Sequence, residues 1–361
     1  MPNVVVIGAG VVGLTAAYEL LQAGHEVTLL SKQIPTDFQF TSNYTSPFAG
    51  ANWASFAQPG EYELQKIDLV GFYKFKQLAK NPETGVWDKE NISYVTERAY
   101  EHAGSKESYP WFLNLPGLKS QKFDRTQVPQ GLGLQYGYSY DGVVISTTLY
   151  LVWLLNENLK TGRFKIQRKS ISDLKEAINL HHNGKADIII NSTGLLAKDL
   201  VTPEEAAKIH AIRGATLLVE NNLENKFSVK DYDPEFPADS FYLMPRQEGG
   251  TVIGGCFELN AEHQTTIDPA QKQRFINKVK KYFPRLLNAN GELDIVREQV
   301  GFRPGRTGGP RIELDEKWTY ENGVALVHNY GHAGAGYQAS WGSAAKVLKT
   351  VNDFLGFKAR L

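Results

Sequence analysis

The hydrophobic positions of this chain change period several times, and each change marks an element. Asn3–Ile7 is a β-branched apolar run, the pattern of a buried strand. After Gly8-Ala9-Gly10 the apolar residues shift to helical spacing (Leu14, Ala16, Ala17, Leu20, Leu21), and Gly24 is a natural helix stop. His25–Leu30 reads as a second parallel strand. Residues 61–80 predict a helix from Leu64, Ile67, Val70, Phe72, Phe75 and Leu78, ended by Asn81-Pro82 and Gly85. A further helix starts at Ser146 or Thr147, the candidate caps, and stops at Gly162. Phe164–Ile171 and Ala186–Asn191 predict strands, the second apolar throughout and so buried on both faces. Residues 209–219 and 240–258 alternate as antiparallel strands, with a hairpin turn at Gln247–Gly250. A basic amphipathic helix at 269–283 ends at Pro284. Strands follow at Asp294–Val300 and Gly323–Val327, then a closing helix at 339–354.

Between these elements lie segments without a clear period. Residues 36–56 form a long loop rich in Ser, Thr, Asn, Gly and aromatics, and loops of that length tend to be functional. Residues 92–142 read as irregular and aromatic. Residues 221–239 are polar, contain Pro234 and Pro237, and read as a mobile lid. His181-His182, beside the turn-like Asn183-Gly184, reads as solvent-exposed. Strand–glycine-turn–helix units stand at both ends of the chain, with antiparallel material between. The expected fold is α/β plus antiparallel β. A discontinuous Rossmann-like nucleotide domain (1–56, 143–194 and 296–361) carries an inserted mixed or antiparallel-sheet substrate domain (57–142 and 195–295).

Gly8-Ala-Gly10-Val-Val-Gly13 sits between a strand and a helix, the context a dinucleotide fingerprint requires. Gly8 allows the tight turn, Gly10 lets backbone approach a pyrophosphate, and Gly13 lets helix and strand pack closely. The helix N-terminus offers free N–H groups and a positive dipole end. At the end of the second strand, where a ribose-binding carboxylate is expected, this chain has Ser31 and Lys32. The serine could bond a ribose hydroxyl. The lysine could meet a 2′-phosphate or simply be solvated. Ser192-Thr193-Gly194 forms a small polar turn at the carboxyl end of a parallel strand, where ligands of open α/β sheets sit.

With 361 residues, two domains or one large one are expected. The 22% charged residues balance to a net charge of zero, which gives no electrostatic footprint for nucleic acid. The apolar runs are too short and interrupted for a membrane span, and no signal-peptide pattern precedes the first strand. The single cysteine, Cys256, excludes an internal disulfide framework and suits a reducing compartment. No His/Cys cluster has metal-ligand spacing. The terminal Ala359-Arg360-Leu361 resembles a Ser-Lys-Leu peroxisomal address.

Ordered landmarks then cover essentially the whole chain: GAGVVGL at 8–14, TSPFAGANW at 45–53, NSTG at 191–194, RGATLLV at 213–219, FYLMPR at 241–246, GGCFE at 254–258, VGFRPGRTGGPRIE at 300–313 and HNYGHAGAGYQASWG at 328–342. In these the chain resembles the D-amino-acid oxidase family of FAD enzymes, particularly its yeast members. The resemblance implies non-covalent FAD held by Gly8, Ala9, Gly10, Val11, Val12, Gly13, Ser31, Lys32, Thr45, Ser46, Ala49, Gly50, Ala51, Asn52, Ser170, Ser192, Thr193 and Gly194. Arg303, Gly331, Ala333, Gly334, Ala335, Gly336, Tyr337 and Gln338 complete that set. It also implies that Arg303 binds the substrate α-carboxylate, with Arg306 as the rival arginine. Tyr242 assists Arg303, the Gly334 carbonyl accepts from the substrate amine, Gln338 is a polar pocket residue, and Phe227 in the lid covers the substrate.

The implied reaction is oxidative deamination of neutral D-amino acids. Hydride passes from Cα to flavin N5, O₂ reoxidises the flavin to give H₂O₂, and the imino acid hydrolyses to a 2-oxo acid and ammonia. Two departures bear on the substrate. Ala238 stands where vertebrate members have a tyrosine. Phe257 stands where D-aspartate oxidases place an arginine, which favours neutral side chains, although Lys226 and Lys230 could restore an acidic preference. A D-aspartate oxidase is the nearest alternative, followed by a glycine- or sarcosine-type flavin oxidase, a nucleotide-binding sensor and an NADP dehydrogenase. By analogy the chain is expected to be a homodimer, and to meet the peroxisomal import receptor through Ala359-Arg360-Leu361.

Overall fold

The computed structural model describes residues 1–37 and 39–358, so the terminal Ala359-Arg360-Leu361 lies outside the described residues. In chain order the strands are β1 (Asn3–Ile7), β2 (Glu26–Ser31), β3 (Val86–Thr96), β4 (Ser120–Phe123), β5 (Leu134–Ile145), β6 (Phe164–Arg168), β7 (Ile188–Asn191) and β8 (Ile209–Val219). They continue with β9 (Lys226–Lys230), β10 (Asp239–Pro245), β11 (Thr251–Cys256), β12 (Glu258–Leu259), β13 (Ile295–Arg306), β14 (Arg311–Leu314) and β15 (Ala325–Tyr330). The helices are α1 (Val11–Gln22), α2 (Tyr62–Leu78), α3 (Glu97–His102), α4 (Thr147–Lys160), α5 (Pro203–Ala206), α6 (Pro269–Tyr282), α7 (Glu316–Asn322) and α8 (Ser340–Lys358).

Among the described residues these strands form two sheets. The first has the order β14-β15-β7-β1-β2-β6, parallel except where β14 pairs antiparallel with β15. Val4, Val6, Leu29, Ile188 and Ile190 are fully buried there, as the unbroken apolar runs require. The second is the larger and runs β12-β8-β11-β10-β9-β3-β5-β4, with β13 paired along the other side of β8. It is antiparallel except between β3 and β9.

Several sequence expectations change. Residues 92–142 are irregular only in their middle, because their two ends belong to β3 and β5, two of the longest strands, which pair from Val86↔Ile145 to Thr96↔Leu134. Their polar residues hid them: Ser93 faces the cavity, and Asn91 is buried in bonds to Asn52 and the Lys89 carbonyl, so the usual apolar alternation is absent. Within the lid expected at 221–239, residues 226–230 are instead a sheet strand, since β9 is hydrogen-bonded between β10 and β3. Strand β13, placed by sequence with the nucleotide part, belongs to the large sheet through its pairing with β8. His181 is buried and its ring faces the Glu26 carbonyl, because the 181–184 turn folds onto β2. Ser146 does stand at the start of α4, but its hydroxyl accepts from the Gln247 N–H rather than capping the helix.

The end of the chain closes the first sheet through α8, which packs against α1 and α2 at backbone distance. A Cβ on Gly71 of α2 would lie 1.9 Å from the Gln338 carbonyl oxygen just before α8. Gly71→Ala should therefore force the segments apart and lose about 1–3 kcal/mol of stability in urea unfolding, as overpacking does. Gly356→Ala, at an open position on α8 with nothing within 4 Å, should be neutral or stabilising by up to about 1 kcal/mol. Equal effects from the two substitutions would contradict the close-packing account.

Candidate active site

A cavity of about 870 Å³ runs from the carboxyl ends of the parallel strands to the face of the large sheet. At its first end the chain leaves β1 through Gly8, with φ 106°. A Cβ there would lie 2.4 Å from the Ser192 carbonyl oxygen. On Gly13 a Cβ would lie 2.0 Å from the Gly8 carbonyl oxygen, so this glycine serves helix–strand packing and does not line the cavity. The first turn of α1 carries no acidic side chain to oppose an anion at its dipole end, although Ser46 Oγ already takes the Val11 N–H.

Buried polar atoms without partners mark the same walls. They are Ser192 Oγ, both side-chain polar atoms of Asn329, and His332 Nε2. Burial holds the His332 imidazole down at about 4, so it is neutral. Buried polar atoms are normally satisfied, so this set fits a bound polar group such as a dinucleotide. Ser31 is committed to local structure, since its hydroxyl donates to the Gln33 carbonyl at 2.6 Å and accepts weakly from the Ala9 N–H at 3.3 Å. Lys32 and Ser170 are exposed on the cavity rim.

The 36–56 loop crosses between the two ends and is tied at several points. Tyr44 donates to the Ala9 carbonyl at 2.7 Å, and Ser46 Oγ accepts from the Val11 N–H at 3.0 Å. The Thr45 hydroxyl donates to the Phe302 carbonyl, and Tyr337 donates to the Ser46 carbonyl at 2.8 Å. Ala49, Gly50, Ala51 and Asn52 follow along the wall. Gly50 is in close contact with Met244, whose sulfur would lie 2.0 Å from an added Cβ.

At the far end stand Arg303 and Tyr242. Arg303 Nη1 donates to the Cys256 carbonyl at 2.9 Å, and the guanidinium lies 4.1 Å over the Phe257 ring. Among the described residues it has no carboxylate partner. Arg306, its sequence rival, is bound to Glu205 at 2.9 Å and to the Gly309 carbonyl, so it ties structure together. Alternation on β10 puts Tyr242 and Met244 on the cavity face and Phe241 and Leu243 in the core. The Tyr242 ring lies over Gly254, where a Cβ would meet Cζ at 2.2 Å. Burial raises its phenol pKa, and the nearby Arg303 charge opposes that. Gly334 faces this pair, with positions for a Cβ only 3.2 Å from the Phe56 ring and 3.7 Å from Arg303 Cδ.

Most other expected positions line the cavity, including Gly10, Val12, Thr193, Gly194, Gly331, Ala333 and Gly336. Two do not. Phe227 is buried against Phe283 on the core face of β9, because its side chain alternates away from Lys226 and Ser228. Ala335 is turned away within the 333–335 turn. Gln338 does line the cavity, but its Nε2 donates to Asp68 at 3.1 Å. Sequence reasoning missed Asp68, Phe56, Asn329 and the Ser93–Ser228–Tyr138 wall. The alternation of Lys-Phe-Ser-Val-Lys at 226–230 was the available signal for that wall.

The chain was compared with known proteins. Residues 3–349 match the model of the FAD dependent oxidoreductase family. The chain belongs to this family. A D-amino-acid oxidase from Fusarium vanettenii is 36% identical over 97% of this chain and 96% of its own length. A D-aspartate oxidase from Talaromyces thermophilus is 27% identical over 97% and 95%. Among solved structures, glycine oxidase from Bacillus cereus superposes with a TM-score of 0.73 at 16% identity, covering 98% of this chain and 95% of that one, which establishes the shared fold. For a member of the FAD-dependent oxidoreductases, the unpaired atoms of Ser192, Asn329 and His332 in the cradle between Gly8 and His332 suit FAD.

Asp68 sits behind this wall, accepting from Ser55 at 2.6 Å and from Gln338. Burial raises its carboxyl to about 6. The folded chain then holds a proton that the unfolded chain releases near pH 4, so stability from this group is lost as pH rises from about 4 to above 6. Two pKa units correspond to ~3 kcal/mol. Asp68→Asn keeps an acceptor for Ser55 and removes the titration. Its urea stability should decline less than wild type between pH 5 and 7.5, and parallel declines would refute this account.

Proposed function

We propose that this chain catalyses the oxidative deamination of D-amino acids with neutral side chains. The observation that carries the reading is Arg303, a guanidinium without a carboxylate partner, set beside Tyr242 and facing Gly334 across a cavity continuous with the nucleotide cradle. A planar guanidinium pairs bidentately with a carboxylate. Tyr242 adds a phenol donor to the same group. The carbonyl of Gly334 is the acceptor for the substrate amine, since a residue without a side chain leaves it room beside Arg303 and Phe56. Phe56, Phe257 and Met244 give the substrate side chain apolar neighbours. Non-covalently bound FAD supplies the acceptor for the two electrons of the Cα–H bond. Overall the amino acid, O₂ and water give a 2-oxo acid, ammonia and H₂O₂.

The protein's part is orientation. Two anchors for the carboxylate and one for the amine fix three directions around Cα, and such positioning can supply up to ~7–11 kcal/mol. The named relatives, D-amino-acid and D-aspartate oxidases, support the same chemistry. The H₂O₂ product, together with the terminal Ala-Arg-Leu, supports peroxisomal residence through the import receptor. A homodimer rests on analogy with relatives.

Arg303→Leu should remain yellow with bound flavin and lose about 2–5 kcal/mol in kcat/KM for D-alanine, followed as peroxide. Tyr242→Phe should cost less, about 1–2 kcal/mol, because the carboxylate keeps its main partner. Near-normal D-alanine turnover by the arginine variant would end the carboxylate role. Removing residues 359–361 should leave a tagged chain in the cytosol, and continued peroxisomal sorting would disprove the address. Sedimentation as a single chain would likewise exclude the dimer.

A further inference from the structure

The wall beyond Tyr242 carries a cation that the chemistry above does not use. Register places Tyr242 on β10 opposite Ser228 on β9, Ser228 beside Ser93 on β3, and Ser93 opposite Tyr138 on β5. These residues make one row on the cavity face, and the two seryl hydroxyls are 2.8 Å apart. Lys226 lies two residues before Ser228, on the same face of the strand. Its Nζ donates to Ser228 Oγ at 2.9 Å. Lys226 is only 6% exposed, and among the described residues it has no carboxylate partner.

That position is costly. An ammonium taken out of water without a counter-charge is strongly disfavoured, and burial alone pulls the Lys226 amine down to about 7. Nearby cations are treated differently. Arg98 is paired with Asp231, Arg274 and Lys278 with Asp239, and Arg306 with Glu205. The other lysines along the cavity, Lys32, Lys169 and Lys230, are exposed to solvent. Among the described residues, Lys226 and Arg303 are the cations kept on the inner walls without a carboxylate. They lie on the two sides of Tyr242.

We propose that Lys226 is a specificity residue: with Ser228 and Ser93 it forms a subsite for a carboxylate at the end of the substrate side chain, so that D-glutamate and D-aspartate are oxidised as well as neutral D-amino acids. The proposal rests on the reading that Arg303 and Tyr242 hold the α-carboxylate. Adjacent strands are ~4.8 Å apart. A substrate anchored at Tyr242 on β10 therefore needs to extend one strand spacing to reach Ser228 and the Lys226 amine on β9. Phe257 leaves the Arg303 side of the pocket apolar, so the second charge is read from β9 instead. The reaction is unchanged: D-glutamate, O₂ and water give 2-oxoglutarate, ammonia and H₂O₂.

The test uses the FAD-loaded full chain. D-Glutamate is compared with D-norvaline, which has the same chain length without the carboxylate, and with D-glutamine. In Lys226→Met the ratio of kcat/KM for D-glutamate to that for D-norvaline should fall by roughly tenfold or more, as for a lost partly buried charge contact, with KM carrying the change. Binding is read separately by the flavin absorbance change on titration with glutarate, the dicarboxylate of D-glutamate's chain length, and with benzoate, and the variant should lose glutarate selectively. Should Lys226→Met fold poorly, Ser228→Ala and the wild-type D-glutamate to D-glutamine ratio carry the test, with wild type expected to favour the acid. An unchanged ratio, or an equal loss for both substrates, overturns the subsite. Wild type that oxidises D-norvaline but ignores D-glutamate overturns it too. Wild type silent on every D-amino acid would instead overturn the underlying functional reading.

Discussion

The constraint on which the site depends is the placing of the Arg303 guanidinium. Two backbone carbonyls, of Cys256 and Arg213, take one end of the fork, at 2.9 and 3.3 Å. The ring of Phe257 covers its face, and Gly214 leaves the space that it fills, since an added Cβ would lie 2.6 Å from Nη2. Carbonyl oxygens satisfy N–H groups without cancelling charge, so the fork keeps donors and a full charge for an incoming carboxylate. Neutralising Arg303 with a protein carboxylate would have made a sturdier fold and a dead pocket. The neighbouring Arg306 shows the other outcome, paired to Glu205 and committed to the turn.

Around this cation the large sheet divides its labour by face. Phe227, Val229, Phe241 and Leu243 fill one side and pack on α6 and the residues after it. Burying side chains of this kind is worth about 1.5–3 kcal/mol each. That face supports the strands, which frees the other face for groups no core would accept. Tyr242, Ser228, Ser93 and Lys226 can therefore stand on central strands, between well-packed neighbours, instead of on a mobile loop. Residues held this way lose little of their alignment to thermal motion.

This division explains what could be read from the sequence and what could not. The parallel sheet was legible because β1 and β7 are apolar on both faces, and the Gly8–Gly13 turn is a local device with a local signature. Tyr242 was legible through the alternation of Phe-Tyr-Leu-Met and through its family motif. Strands β3 and β9 were not, because a cavity-facing strand alternates core with chemistry, and Asn91, Ser93, Lys226 and Ser228 read as loop polarity. Phe227 was misassigned for the same reason: a one-residue step on a strand changes the face, and an aromatic beside lysines looked like a lid. Asp68 depends on burial contributed by distant segments, which no local pattern carries.

The two ends of the cavity are set relative to each other by the 36–56 loop. Tyr44 and Ser46 fasten it to the Gly8–Gly13 turn and α1, Thr45 fastens it to β13 one residue from Arg303, and Tyr337 fastens it to the approach of α8. Gly301 lets this happen, since a Cβ there would press within 3.3 Å of Thr45 and 3.4 Å of Phe48. A single short segment thus touches the nucleotide turn, the carboxylate-binding strand and the glycine turn that holds Gly334. Catalysis by orientation tolerates little slack, for a misplacement of about 1 Å can cost ~10²-fold in rate. Tying the three parts to one loop by partly buried hydroxyls bonded to main-chain groups makes the spacing between cofactor cradle and substrate cation independent of surface side chains. The loop that lacked any hydrophobic period is accordingly the part of the chain where that spacing is decided.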